Sequence, residues 1–95
     1  MTTAYTYILQ CVKGQYYVCC TTDLEKRLLV HQVGLGAKFT RTHLPVKLVY
    51  KEEFSSIEMA FVRERQLHGW SRAKKEALIK RSIRHSAVPE FVEGQ

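Results

Sequence analysis

The chain has no apolar run approaching the ~18 residues that a membrane span requires. It has no CxxC pair and no paired-histidine motif. Its cysteines, Cys11, Cys19 and Cys20, are odd in number, which argues against a disulfide framework and against a structural zinc site. They read as reduced, small hydrophobes on strands. The opening MTTAYTYILQ lacks a basic region and a cleavage-site pattern, so it reads as mature structure of a cytoplasmic protein. Acidic residues are also scarce: Asp+Glu number 9 against 15 Lys+Arg, a formal charge of +6. That surplus fits a polyanionic partner, nucleic acid foremost, and fits a plain basic surface equally well. The hydrophobic fraction of 45% excludes a disordered chain, and 95 residues suffice for one domain with a real core.

Strand-forming AYTYILQCV, then KGQ, then YYVCC predict a β-hairpin. A two-residue turn at Lys13-Gly14 would force Lys13 to positive φ, whereas a three-residue loop, Val12-Lys13-Gly14, asks this only of Gly14. The longer loop sets Cys11 opposite Gln15, Leu9 opposite Tyr17 and Tyr7 opposite Cys19. TTDLEKRLLVHQ opens on capping residues and predicts a short helix, and VGLGAKFTRTHLP a loop. VKLVYKEEF is a third strand, with Val46, Leu48 and Tyr50 alternating against charged neighbours. SSIEMAFVRERQLHG predicts a helix with a capping box from Ser55 to Glu58 and Gly69 as its C′ stop. A last helix starts at Ser71. The expected order is ββαβαα, an α+β domain with a three-stranded antiparallel sheet flanked by helices, over residues 1–83. Residues 84–95 read as a loose tail.

Some polar side chains fall where apolar ones belong. At about 100° per residue, Leu24, Leu28 and His31 share one stripe of the first helix, with Arg27 on its flank. In the second long helix Ile57, Ala60, Phe61 and Leu67 form the apolar face and Glu64 lies in its middle. A carboxylate there must be paired, protonated or bound to a cation, because burying it alone is costly. A salt bridge to Arg27 would satisfy it structurally, and a core position would satisfy His31. Tyr7 and Tyr17 share a sheet face on the three-residue register. Separately each has a packing explanation; together they suggest a site.

These residues, in this order, resemble the GIY-YIG nuclease superfamily, most closely its small single-domain members related to the incision domain of the excision-repair nuclease. Tyr5-Thr6-Tyr7 aligns with the first motif and Tyr17-Val18-Cys19 with the second, Cys19 standing where that motif has glycine. Arg27 and His31 match the family's Arg-x3-His and Glu64 its metal-binding glutamate. GAKFTR and QLHGWSRAKKEALI also look like small members. The resemblance implies hydrolysis of a DNA phosphodiester, with one Mg²⁺ or Mn²⁺ held by Glu64. It implies Tyr7 as the group that positions or deprotonates the attacking water, helped by Tyr17 and His31, and Arg27 on the phosphorane. Lys38, Thr40 and Arg41 of the loop, with Arg72, Lys74 and Lys75, would track the DNA backbone. Branched or damaged DNA, and a setting in repair or recombination, accord with such a domain. The alternative is a catalytically impaired nucleic-acid-binding module of the same fold, with Cys19 as its sign.

Overall fold

The computed structural model describes residues 3–36 and 42–82. Strands β1 (Ala4–Gln10), β2 (Tyr16–Thr21) and β3 (Lys47–Phe54) form an antiparallel sheet in the order β2-β1-β3. Helix α1 (Leu24–Gln32) follows β2, and α2 (Ile57–His68) follows β3. A third helix, α3, covers residues 72–82, completing the order ββαβαα. The expected tail, 84–95, lies outside the described residues.

The hairpin has the three-residue loop. Cys11 N–H donates to the Gln15 carbonyl at 2.8 Å, and Gly14 N–H to the Cys11 carbonyl at 2.8 Å. Gly14 takes φ +88°, which costs a residue without a Cβ little. The register follows from that loop: Leu9 faces Tyr17, and Tyr7 faces Cys19.

Because β1 is central, both its faces are covered. Tyr7, Leu9 and Cys11 pack with Leu24 and Leu28 of α1, with Val46, and with Tyr17 and Cys19 of β2. On the reverse face Ile8 packs with Val18, Tyr50, Leu67 of α2 and Ile79 of α3. Complete burial of Ile8 and Leu9 contributes about 1.5–3 kcal/mol each. The buried Thr6 hydroxyl donates to the Ala60 carbonyl at 2.6 Å, fastening α2 to the sheet.

Four local expectations need correction. Val46, Leu48 and Tyr50 do not keep one face: Ile8 pairs with Tyr50 but Leu9 with Leu48, so β3 bulges at Val49. Leu48 therefore joins the α1 side and Tyr50 the α2 side. The cap of α2 is Ser56, extended at φ −149° and accepting from Met59 N–H at 3.3 Å, not Ser55 with Glu58. Gly69 ends that helix in a right-handed conformation, φ −81°, its N–H reaching the Gln66 carbonyl at 3.1 Å. Finally, the buried stripe of α2 is Ala60 and Leu67; Ile57 and Phe61 stay exposed, Phe61 at 48%. Tethering of the Ala60 turn by Thr6 turns that stripe toward β1 and leaves Phe61 on the outer flank.

Candidate active site

Asp23 caps α1 by accepting from Lys26 N–H at 3.2 Å, which sets the helix across the face that carries Tyr7 and Tyr17. Leu24 and Leu28 bury toward the sheet, and the same stripe brings in His31. Its Nε2 lies 3.2 Å from Tyr7 Oη, and its ring meets both phenol rings edge-on, with centroids 6.2 Å from Tyr7 and 5.9 Å from Tyr17. Tyr7 and His31 are 0% and 1% exposed, so they form the floor of the site. Half-buried Tyr17 and Cys19 and exposed Arg27 form its solvent side. Arg27 Nη1 points at Cys19 Sγ, 3.9 Å away. A Cβ on Gly36 would stand 2.4 Å from His31 Nδ1, so the backbone after α1 closes over the imidazole only because that residue has no side chain.

Glu64 reaches the site from the reverse face. It is 16% exposed, and its Oε2 lies 3.4 Å from Nε2 of His68, one turn on. Thus the ion-pair partner among the described residues is His68 and not Arg27. The Glu64 carboxylate acts on the Cys20 thiol, and β2 is an edge strand, so Glu64 sits around that edge from Cys19. Thr6, the middle residue of the first motif, bonds the carbonyl one helical turn before Glu64. Cys20 is therefore more than the packing residue its strand position suggests.

The electrostatics link these groups. Burial chiefly, then Cys19, raise the Tyr7 phenol well above its ordinary value, with Arg27 opposing. Tyr17 is pushed up to about 12 by burial, then by Cys19 and the Glu64 carboxylate, again against Arg27. Cys20 is pushed up to about 12 by burial and by its hydrogen bond to Glu64. His31 is lowered, first by burial and then by Arg27, which favours the neutral imidazole at pH 7; Nε2 accepts from Tyr7 Oη in the tautomer that carries its hydrogen on Nδ1. Tyr17 thus joins a Tyr7–His31–Cys19–Arg27 cluster on one face to a Cys20–Glu64–His68 cluster around the edge.

Among the described residues no three His, Cys, Asp or Glu side chains converge as metal ligands. One half-buried carboxylate, completed by water and phosphate oxygens, does suit a hard divalent cation.

The expected DNA-contacting residues separate. Lys38, Thr40 and Arg41 lie outside the described residues. Arg72, Lys74 and Lys75 are on α3, away from the tyrosine face. The Arg72 guanidinium lies 4.8 Å from the Tyr16 ring centroid and its Nε 3.2 Å from Glu76 Oε2. Lys74 Nζ lies 4.8 Å from the Trp70 ring centroid. Two contributors escaped the sequence reading. His68 had a signal, its i,i+4 spacing from Glu64; Gly36 had only its place in a glycine-containing loop.

A small ββαβαα domain whose sheet face gathers two tyrosines, an arginine and a histidine, with a carboxylate at its edge, is one class of catalytic domain. The GIY-YIG catalytic domain matches residues 3–77. A UPF0213 protein of Streptococcus pneumoniae serotype 4 is 41% identical over 91 residues, covering 96% of this chain and 92% of that one. The solution structure of a UPF0213 protein from Bacillus halodurans is 41% identical, with a TM-score of 0.54 over 82% of this chain and 83% of the other. That of an E. faecalis protein is 34% identical, with a TM-score of 0.58 over 84% and 85%. The chain belongs to the GIY-YIG family, a nuclease family.

Proposed function

We propose that this protein is a metal-dependent endonuclease that hydrolyses DNA phosphodiester bonds, with repair or recombination as its setting. The observation that carries the reading is the Tyr7 Oη to His31 Nε2 contact of 3.2 Å, beside Arg27 and Tyr17. Glu64 would hold the divalent ion, which supplies neutralisation of charge at the scissile phosphate and its leaving oxygen.

The remaining work falls to the chain's own side chains. Neither phenol is ionised at neutral pH, because burial holds both above their ordinary value. Tyr7 therefore takes a proton from the attacking water only as it passes its own to neutral His31. Arg27 covers this pair only through a 3.9 Å contact with a thiol, and is otherwise exposed. An arriving phosphate draws the guanidinium off Cys19, which opens Tyr7 and places two donors on the phosphate oxygens. Tyr17, facing solvent, orients the water.

The test is cleavage of labelled duplex, branched and single-stranded DNA with Mg²⁺ or Mn²⁺, comparing wild type with Glu64→Ala and Arg27→Ala. Metal-dependent cutting that vanishes with Glu64→Ala is expected. Binding without cutting, in the wild type under either ion, would return the protein to the non-catalytic binding module.

A further inference from the structure

The face of the molecule opposite the tyrosines carries two adjoining hollows that the proposed cleavage site does not use. One, about 230 Å³, is lined by Arg63, Trp70, Lys74, Ala77, Leu78 and Arg81. The other, about 250 Å³, shares Leu78 and Arg81 and continues to Tyr50 and Ser82. No acidic side chain lines either among the described residues.

The hollows have an aromatic and aliphatic floor and a cationic rim. Trp70 and Leu78 pack on the sheet from one side and face the hollow on the other. The Lys74 ammonium covers the indole at 4.8 Å, and that lysine is exposed, so a phosphate that draws it aside uncovers the ring for a base. The Arg63 guanidinium, 5.2 Å from the ring centroid, is committed to Glu52 by bonds of 3.0 Å from Nε and Nη2. Lys51 borders the second hollow, but its ammonium lies over Tyr5 on the other sheet face. Among the described residues, Lys74 and Arg81 are thus the cations available to a ligand here.

We propose that this groove binds a single-stranded segment of nucleic acid, with phosphates at Lys74 and Arg81 and a base stacked on Trp70. A duplex offers phosphates alone to such a surface and has no use for a recessed indole. A single strand offers both phosphates and unstacked bases, and stacking on one aromatic ring contributes about 1–3 kcal/mol. The identity of the polymer rests on the nuclease reading above. Its consequence is a substrate class: DNA with a single-stranded arm, held on one face of the sheet while the tyrosine face addresses a phosphodiester elsewhere on the molecule.

Trp70 is the single tryptophan of the chain, so its fluorescence reports this groove alone. The experiment titrates the full-length Glu64→Ala protein with a short oligothymidylate and, separately, with a blunt duplex, at several salt concentrations. Saturable quenching by the oligothymidylate is expected, weakening as salt rises. Adding Lys74→Gln and Arg81→Gln should reduce the salt slope by about 1.4, from two phosphate contacts at about 0.7 each. Unchanged fluorescence, quenching with an undiminished slope in the double variant, or an equal response to the duplex would each overturn the proposal. Cleavage by the wild type, measured apart, separates this outcome from the nuclease reading. Quenching without cleavage leaves the groove standing, and cleavage without quenching removes it.

Discussion

At the residue scale the site depends on one imidazole and the room made for it. Gly36 has no freedom to grow, because a Cβ there would sit 2.4 Å from His31 Nδ1. Gly36→Ala must push the ring, the loop or both. We expect it to cost about 1–3 kcal/mol, as overpacking does, and to lower cleavage more than stability does, since the ring carries the Tyr7 hydrogen bond. Denaturant unfolding beside single-turnover cleavage separates the two effects. Cys19 offers a second test. Cys11 is buried and raised by its burial, and Cys20 is held up near 12, so neither thiol is readily reactive. A small methanethiosulfonate reagent is therefore directed to half-exposed Cys19, where a thiomethyl group would displace Arg27. Wild-type cleavage should be lost on treatment and recovered with a reducing thiol, while Cys19→Ser resists. Equal inactivation of Cys19→Ser would assign the effect to another cysteine.

At the scale of elements, Thr6 connects sheet to helix. Its hydroxyl donates to the Ala60 carbonyl at 2.6 Å, on the turn that presents Glu64. Thr6→Val keeps the shape and removes the bond, so a stability loss of about 0.5–1.5 kcal/mol is expected. If Thr6 also sets Glu64, the variant should need more Mg²⁺ for half-maximal cleavage, with little change at saturating metal. An unchanged metal requirement would reduce Thr6 to a packing role. This bond also marks where the sequence stops being legible. The hairpin register could be argued beforehand because only Gly14 tolerates positive φ, and it put Tyr7 and Tyr17 on one face. The α1 stripe likewise carried His31 to them. The rotation of α2 was misread, because periodicity centres its apolar face among Ile57, Ala60, Phe61 and Leu67, whereas the Thr6 hydrogen bond to Ala60 turns Ala60 and Leu67 inward and leaves Ile57 and Phe61 outside. The bulge at Val49 was hidden for a related reason. One extra residue flips Tyr50, and its only trace in the sequence is the unbroken apolar run Leu48-Val49-Tyr50 where alternation calls for a polar residue. Arg72 and Lys74 read as part of a basic run, yet only the packing of α3 reveals that the run lies away from Tyr7 and Tyr17.

At the scale of the whole molecule, one group links the fold to the chemistry. His31 is buried against Tyr7, with Tyr17 and Arg27 around it, and its pKa lies below the 6.5 of an exposed histidine. The native protein thus resists a proton that the unfolded chain accepts readily. Between the lowered native value and 6.5 the unfolded state binds more protons, so stability is fully present above 6.5 and declines as pH falls through that window. Thermal unfolding followed across it should give a falling Tm for wild type and a nearly flat one for His31→Gln, which has no proton to gain. Parallel slopes would mean that other groups control the acid response. Cleavage should decline on the same side, because Nε2 must be unprotonated to receive the Tyr7 proton. Its acid limb should therefore fall below 6.5. The alkaline side differs: Tyr17 titrates only near 12 and Tyr7 stays protonated, so neither phenol should bring a loss of rate in mildly basic solution. An acid limb centred above 6.5 would instead require a protonated imidazole stabilised by an anion in the site, and would exchange the roles of Tyr7 and His31 in the proton transfer.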